Sequence, residues 1–419
     1  MRRRLIRAPA AFRPPLRLLL PLLLPLLLPL LLLFLLPGVA AAEETDGGGG
    51  GEGDLSIQDG VELWMDAVDL SALTRAAALL PAEVCALWGE LDAAEKVRSF
   101  ALPEGTPQGP AAVLEAIAGA AGAVLVAERR SLAATVAGLT GLLLIGGLVG
   151  ALSEGEKGGA GDAAVLVCRC FTMTACIGLF AGAAKQAVAC VQGLSRCMEL
   201  CAPVLTVLLT AMGAGMRAGV FQPASAMLSA GVAKALEAAV LPLAVCSGVV
   251  GMLDLLAERA KLSGLYRLLK SGMQWGLGMT ATLYAAITSV RGLGAAGVDS
   301  VGVRAAKYAA GGLLPGAGGL VTGSFDTALG CAALVRNAAG AAVMLLCVLT
   351  AAAPMLRILC TSLLVRVAAA VSEPVAEKRQ AGMLQRCADT LGVLLGACAA
   401  ATSMFVVTAG LLLYAGTMA

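Results

Sequence analysis

The sequence predicts an all-α, polytopic membrane protein of about seven or eight spans, preceded by a signal-like leader and a small acidic helical module. Three observations carry this expectation. First, 59% of the 419 residues are apolar and only 14% are charged, against roughly 25% charged in soluble domains. Mean hydropathy is +0.87. A water-soluble globule of this size has no means of hiding so much apolar surface, which excludes an ordinary cytosolic enzyme. Second, charge-free windows long enough to cross a bilayer recur along the chain. Third, charge is zoned. Residues 1–42 hold six Arg and no acid; residues 43–110 hold fourteen acids and three bases; residues 111–419 hold twenty-one bases and fourteen acids.

The zones give three expected domains. Residues 1–42 read as a signal peptide or N-terminal anchor: an Arg-rich start, an apolar run from Leu18 to Leu36, then Ala40-Ala41-Ala42 as a small-residue cleavage site. Pro21, Pro25 and Pro29 each remove a backbone hydrogen bond and oppose a stable spanning helix. Residues 43–110 read as an exported acidic module with a flexible Gly47–Gly51 linker. Within it Val61, Trp64, Met65 and Val68 share one helical face, and Leu80, Val84, Leu87, Trp88 and Leu91 share another. Glu62, Asp66, Glu83 and Glu90 stand on the opposite faces, as a solvated surface or a docking surface for a basic partner.

Residues 111–419 form the expected membrane domain. Windows at 131–153, 163–184, 200–216, 238–251, 271–290, 337–356, 355–371 and 390–416 each suit a span. Residues 111–127 are apolar but hold Glu115. Tyr308–Phe325 is charge-free yet contains six Gly and Pro315, which suits a broken or re-entrant segment. Residues 259–270 combine Arg259, Lys261, Arg267 and Lys270 with an apolar face, as in a short helix lying in the headgroup layer. With the acidic module outside, strict alternation of these spans puts the acidic 154–162 loop inside and the basic 257–270 loop outside, both against the positive-inside rule; a true span at 111–127, or one re-entrant later segment, repairs this.

The residues limit the chemistry. There is no His, which excludes His-dependent triads, metal sites and proton relays. No GxxxxGK[ST] phosphate loop occurs. The thirteen Cys include no CxxC pair, and most lie in apolar windows as small hydrophobes, so neither metal nor cofactor is expected. Among charges at membrane depth, Arg169 lies well inside its window and is expected to face protein or water. Arg366 reads as snorkelling from a helix end. Gly146/Gly150, Gly215/Gly219 and Gly392/Gly396 have the spacing of close helix contacts.

The most distinctive stretch follows residue 288. Arg304, Ala306, Lys307 and Tyr308 form an R-x-A-K-[FY] run, and Gly311, Pro315 and Gly318 a G-x-x-x-P-x-x-G loop. Asp326-Thr327 and Arg336-Asn337 follow, with Gly340 entering the next span. This set resembles the stage III sporulation protein AE family of endospore-forming bacteria. The resemblance implies a non-catalytic, multi-pass protein of the mother-cell membrane surrounding the forespore, its N-terminal module extracytoplasmic. Implied partners are the other membrane and ring-forming proteins of the same operon, an ATPase-like subunit and a forespore membrane channel protein. Together they form a channel or secretion-like complex that supports late forespore gene expression. Arg304, Lys307, Gly311, Pro315, Gly318, Asp326, Arg336 and Asn337 become the candidate channel or assembly segment, with Tyr308–Phe325 lining or gating a path. The competing readings are a stand-alone secondary transporter, which should show an internal repeat, and a non-conducting scaffold.

Overall fold

The computed structural model describes residues 57–80, 85, 93–101, 110–153, 159–211, 219, 227–256, 262–294, 318–374 and 378–414. The leader and Gly47–Gly51 lie outside them, as does most of the second predicted module helix. All regular structure among the described residues is helical. Three short helices come first: α1 (Ile57–Ala67), α2 (Ser71–Ala77) and α3 (Ala93–Ala101). Six long ones follow: α4 (Pro110–Ser153), α5 (Gly159–Ala211), α6 (Met227–Leu256), α7 (Ser263–Gly294), α8 (Gly318–Ser372) and α9 (Lys378–Tyr414).

Several predicted spans merge. Window 163–184 and the described part of 200–216, up to Ala211, are one helix, α5, which runs through Arg196, Glu199 and Pro203. Glu199 is exposed on this helix and accepts a hydrogen bond from Ser195 Oγ at 3.2 Å. Windows 337–356 and 355–371 are likewise one helix, α8, through Pro354. Residues 111–127 and 131–153 form the single helix α4. Residues 263–270 are not a separate surface helix but the first turns of α7. Five helices among the described residues are long and apolar enough to cross a membrane, and α7 is not one of them. Its 271–290 window lacks charge, but Gln274, Thr280, Thr282 and Thr288 dilute its hydropathy. Freedom from charge is a weaker criterion than apolarity.

Side-chain contacts fix the order of the bundle. Arg386, two turns into α9, donates to the Gly251 carbonyl of α6 at 3.2 Å and lies over the Tyr266 ring of α7. Farther along, Tyr284 of α7 donates to the Met404 carbonyl at 2.6 Å. So α7 runs parallel to α9. On α8, Ser362 bonds Ala388 and Met355 meets Thr402, so α8 runs antiparallel to α9. The Cys176–Cys387 and Cys190–Cys398 contacts make α5 parallel to α9. Gly146 of α4 abuts the Gln380 side chain. The ends of α4, α6 and α8 therefore share one surface with the starts of α5, α7 and α9. Merging the two windows in α5 removes one crossing. The basic start of α7 then falls on the same side as the α4–α5 connection, and the conflict over the 257–270 loop disappears.

Packing relies on small residues, because lipid tails offer helices no hydrophobic drive to associate. Gly248 of α6 receives the Phe180 ring of α5: a Cβ there would lie 2.6 Å from the ring. The predicted GxxxG pairs contribute less. Gly146 is a close approach, whereas Gly150, Gly219 and Gly396 have open space around them. A π turn at Leu236–Val240 precedes Pro242, where the widened helix tolerates a residue without an N–H.

Gly248→Ala is expected to lower stability by about 1–3 kcal/mol through overpacking against Phe180. Gly178→Ala, at a position with nothing within 4 Å, is expected to be neutral or slightly stabilising. Thermal unfolding of both variants in detergent checks this; equal effects would contradict the packing.

Candidate functional site

The described part of the distinctive segment lies at the start of α8, and the acidic module is docked on it. Val61, Leu73 and Val97 are fully buried, each stabilising the docked state by roughly 1.5–3 kcal/mol. They belong to the same apolar core as Cys197, Val343 and Leu394 of the long helices. Two local contacts set the register. Trp64 Nε1 donates to the Ala328 carbonyl of α8 at 3.1 Å. Gly60 lies against Cys331, where a Cβ would come within 2.7 Å of Sγ. Only a residue without a side chain lets α1 approach α8 this closely.

The module is also braced internally. Arg98 of α3 pairs with Glu62 of α1. Asp69 accepts from the Ser71 backbone N–H at 2.9 Å. The Ser71 hydroxyl and that N–H hold the Asp69 carboxyl below its usual range. Partial burial pushes the Lys96 ammonium down. The exposure of Glu62, Asp66 and Asp69 keeps the acidic face in water.

Within α8, Arg336 is 1% exposed. Its Nη2 donates to Asn337 Oδ1 at 2.9 Å, while Nε and Nη1 find no acceptor. A buried guanidinium served by one neutral amide is costly, so this pair is an energetic liability within α8. Asn337 is the group that limits it.

Of the predicted residues, Arg304, Lys307, Gly311 and Pro315 lie outside the described residues. Gly318 opens α8 and Asp326 lies two turns in, so the described part of Tyr308–Phe325, from 318 on, is regular helix rather than a broken segment. Arg336 and Asn337 are brought together. Arg169 is buried on α5 but lies toward the other end of the bundle: Cys176, two turns later, meets Cys387 near the start of α9. Arg366, expected to snorkel, instead pairs with Asp389 of α9 at 3.3 Å. Gly60, Ala328 and Cys331 were not foreseen. The apolar face carrying Trp64 was the available signal for a docking helix, but it names no partner. None of the thirteen Cys is joined in a disulfide, and no cluster suited to a metal ion occurs among the described residues.

A family model described as stage III sporulation protein AE matches residues 111–416. Stage III sporulation protein AE of Bacillus subtilis (strain 168) is 25% identical over 220 residues, covering 52% of this chain and 54% of that protein. The aligned region thus spans about half the length of that curated relative. No solved structure matches the chain.

Asn337→Leu is expected to destabilise the protein by about 1–3 kcal/mol, since it strands the guanidinium entirely. Arg336→Met is expected to be neutral or stabilising. Unfolding midpoints of the two variants test the assignment, and the reverse order would contradict it.

Proposed function

The chain belongs to the family of stage III sporulation protein AE, and we propose that it is the large membrane subunit of a channel or secretion-like complex joining mother cell and forespore. In this reading it supports late forespore gene expression and performs no catalysis of its own. Its partners are the ring-forming and ATPase-like proteins of the same operon and a forespore membrane channel protein. The family and the helices themselves make it a sporulation-related membrane protein with several helices long and apolar enough to cross a membrane.

One observation favours a complex subunit over a self-contained transporter. The central helices are enclosed by the chain's own protein, while the outer helices are not. In α8, 94% of the most apolar window is buried, and in α9 67%. In α4 and α5 the figures are 22% and 28%. A secondary transporter places discontinuous helices and a binding site near its centre; here the central α8 is continuous and packed. A conduit would therefore lie between this chain and its neighbours. The basic residues Arg267, Lys270, Arg379 and Arg386 gather where α7 and α9 begin. The positive-inside rule favours a cytoplasmic position for that surface. The module, docked at the opposite end of α8, then lies outside the cytoplasm.

Asp326→Arg and Pro315→Ala are expected to insert normally but to reduce partner co-purification and a late forespore reporter severalfold. Membrane fractionation, pull-down and reporter activity in sporulating cells measure this. Full reporter activity in both variants would sink the assembly role of the segment. Solute transport by the purified chain alone in liposomes would favour the transporter.

A further inference from the structure

The helix α7 has three distinct faces. At 100° per residue, Met273 and Tyr284 fall on one side and are buried at 1% and 7% exposure toward α6 and α9. Next to it is an exposed apolar face: Leu265, Leu268, Trp275, Met279 and Leu283. The third face is an exposed polar seam of Arg267, Ser271, Gln274, Gly278 and Thr282, spaced by four, three, four and four residues. Where the apolar face meets the seam, Ser271, Gln274, Trp275, Gly278, Met279 and Thr282 line an open groove of ≈ 530 Å³.

The helical turn that leads into this groove is cationic and lies near the end of the membrane-crossing helix α6. Arg267 and Lys270 immediately precede Ser271, and α7 has no acidic residue along its 32 positions. Lys270 Nζ lies 5.8 Å from the Tyr266 ring centroid, with Arg386 on the same ring at 4.7 Å. Asp254 of α6 is held by Arg386 at 3.2 Å, which leaves Arg267 and Lys270 outside that ion pair. The depth follows from Arg386 reaching the Gly251 carbonyl, near the end of the membrane-crossing helix α6.

We propose that this groove is a binding site for an anionic phospholipid. The phosphate sits against Arg267, Lys270 and the Ser271 hydroxyl. An acyl chain runs along the groove past Gly278, with Trp275 and Met279 as its apolar wall. A cationic head joined to an apolar trough open to the bilayer matches an amphiphile with a negative headgroup. A soluble anion makes no use of the trough. A second copy meeting this seam about a two-fold axis normal to the membrane would set Arg267 against its own counterpart. The site also accounts for how a helix too polar to rank among the spanning ones is held in the bilayer. The proposal needs only the membrane placement, not the channel role.

The test uses the full chain in nanodiscs of phosphatidylcholine with or without phosphatidylglycerol, and native mass spectrometry of the lipids that remain bound. Phosphatidylglycerol is expected to be retained at least tenfold over phosphatidylcholine. Arg267→Gln and Lys270→Gln are each expected to reduce that preference about fivefold. Gly278→Leu, which fills the groove, is expected to reduce retained lipid without changing the unfolding midpoint in phosphatidylcholine. Equal retention of both lipids by the wild-type chain would overturn the proposal, and so would a preference untouched by all three variants. A disulfide-linked dimer formed through Gly278→Cys in cells would assign the groove to a second copy instead.

Discussion

The enclosure of α8 is the constraint on which the other elements depend. At 55 residues and about 1.5 Å per residue, it is far longer than the roughly 30 Å hydrocarbon core. Along its membrane part it is walled by α9, α5 and α4, and toward its start by α1 and α3. Ala and Gly make up 18 of its 55 residues, so its neighbours approach the backbone closely at those positions. In lipid that close approach is the main source of helix affinity. Of the long helices α9, α5 and α4 pack most extensively on it; α6 joins the bundle through α9 and α5, and α7 through α6 and α9.

This arrangement links the module to the membrane. Because α8 outruns the bilayer, its start is available as a platform, and α1 and α3 settle there more extensively than on each other. The docking surface has an apolar floor, a backbone carbonyl for Trp64 and a glycine at the point of closest approach. Arg336 lies buried in the same part of α8, incompletely satisfied. Buried charges of this kind are costly to keep, and its position ties that cost to the helix that carries both the module and the bundle. The opposite surface has a different chemistry: basic helix starts, Tyr266 beside two cations, and an open groove leading away along α7.

Helix class and membrane residence were legible from apolarity and charge zoning, and the apolar face of α1 was legible from its spacing. Helix ends were not. Arg196 and Glu199 look like a loop between two spans, yet α5 passes through them, because charged residues exposed on a helix do not end it. The ion pair between Arg366 and Asp389 joins residues of different helices, so no local pattern announces it. The candidate segment was legible in part. Arg336 and Asn337 are adjacent in sequence and meet in space. The partner of Trp64 is a main-chain carbonyl 264 residues away, and a carbonyl leaves no mark in the residue type.

The most direct test of this account is a cross-link between the module and α8. A Cβ at residue 60 would lie 3.5 Å from that of Cys331, within the range that a disulfide spans. Gly60→Cys in the full chain, oxidised in intact membranes and digested, is expected to yield one disulfide-linked peptide pair joining the two residues. The pair should be lost on reduction and in the additional Cys331→Ala variant. If both thiols react readily with an alkylating reagent but never with each other, the module is not docked on α8, and the enclosure of that helix is not the organising feature of the fold.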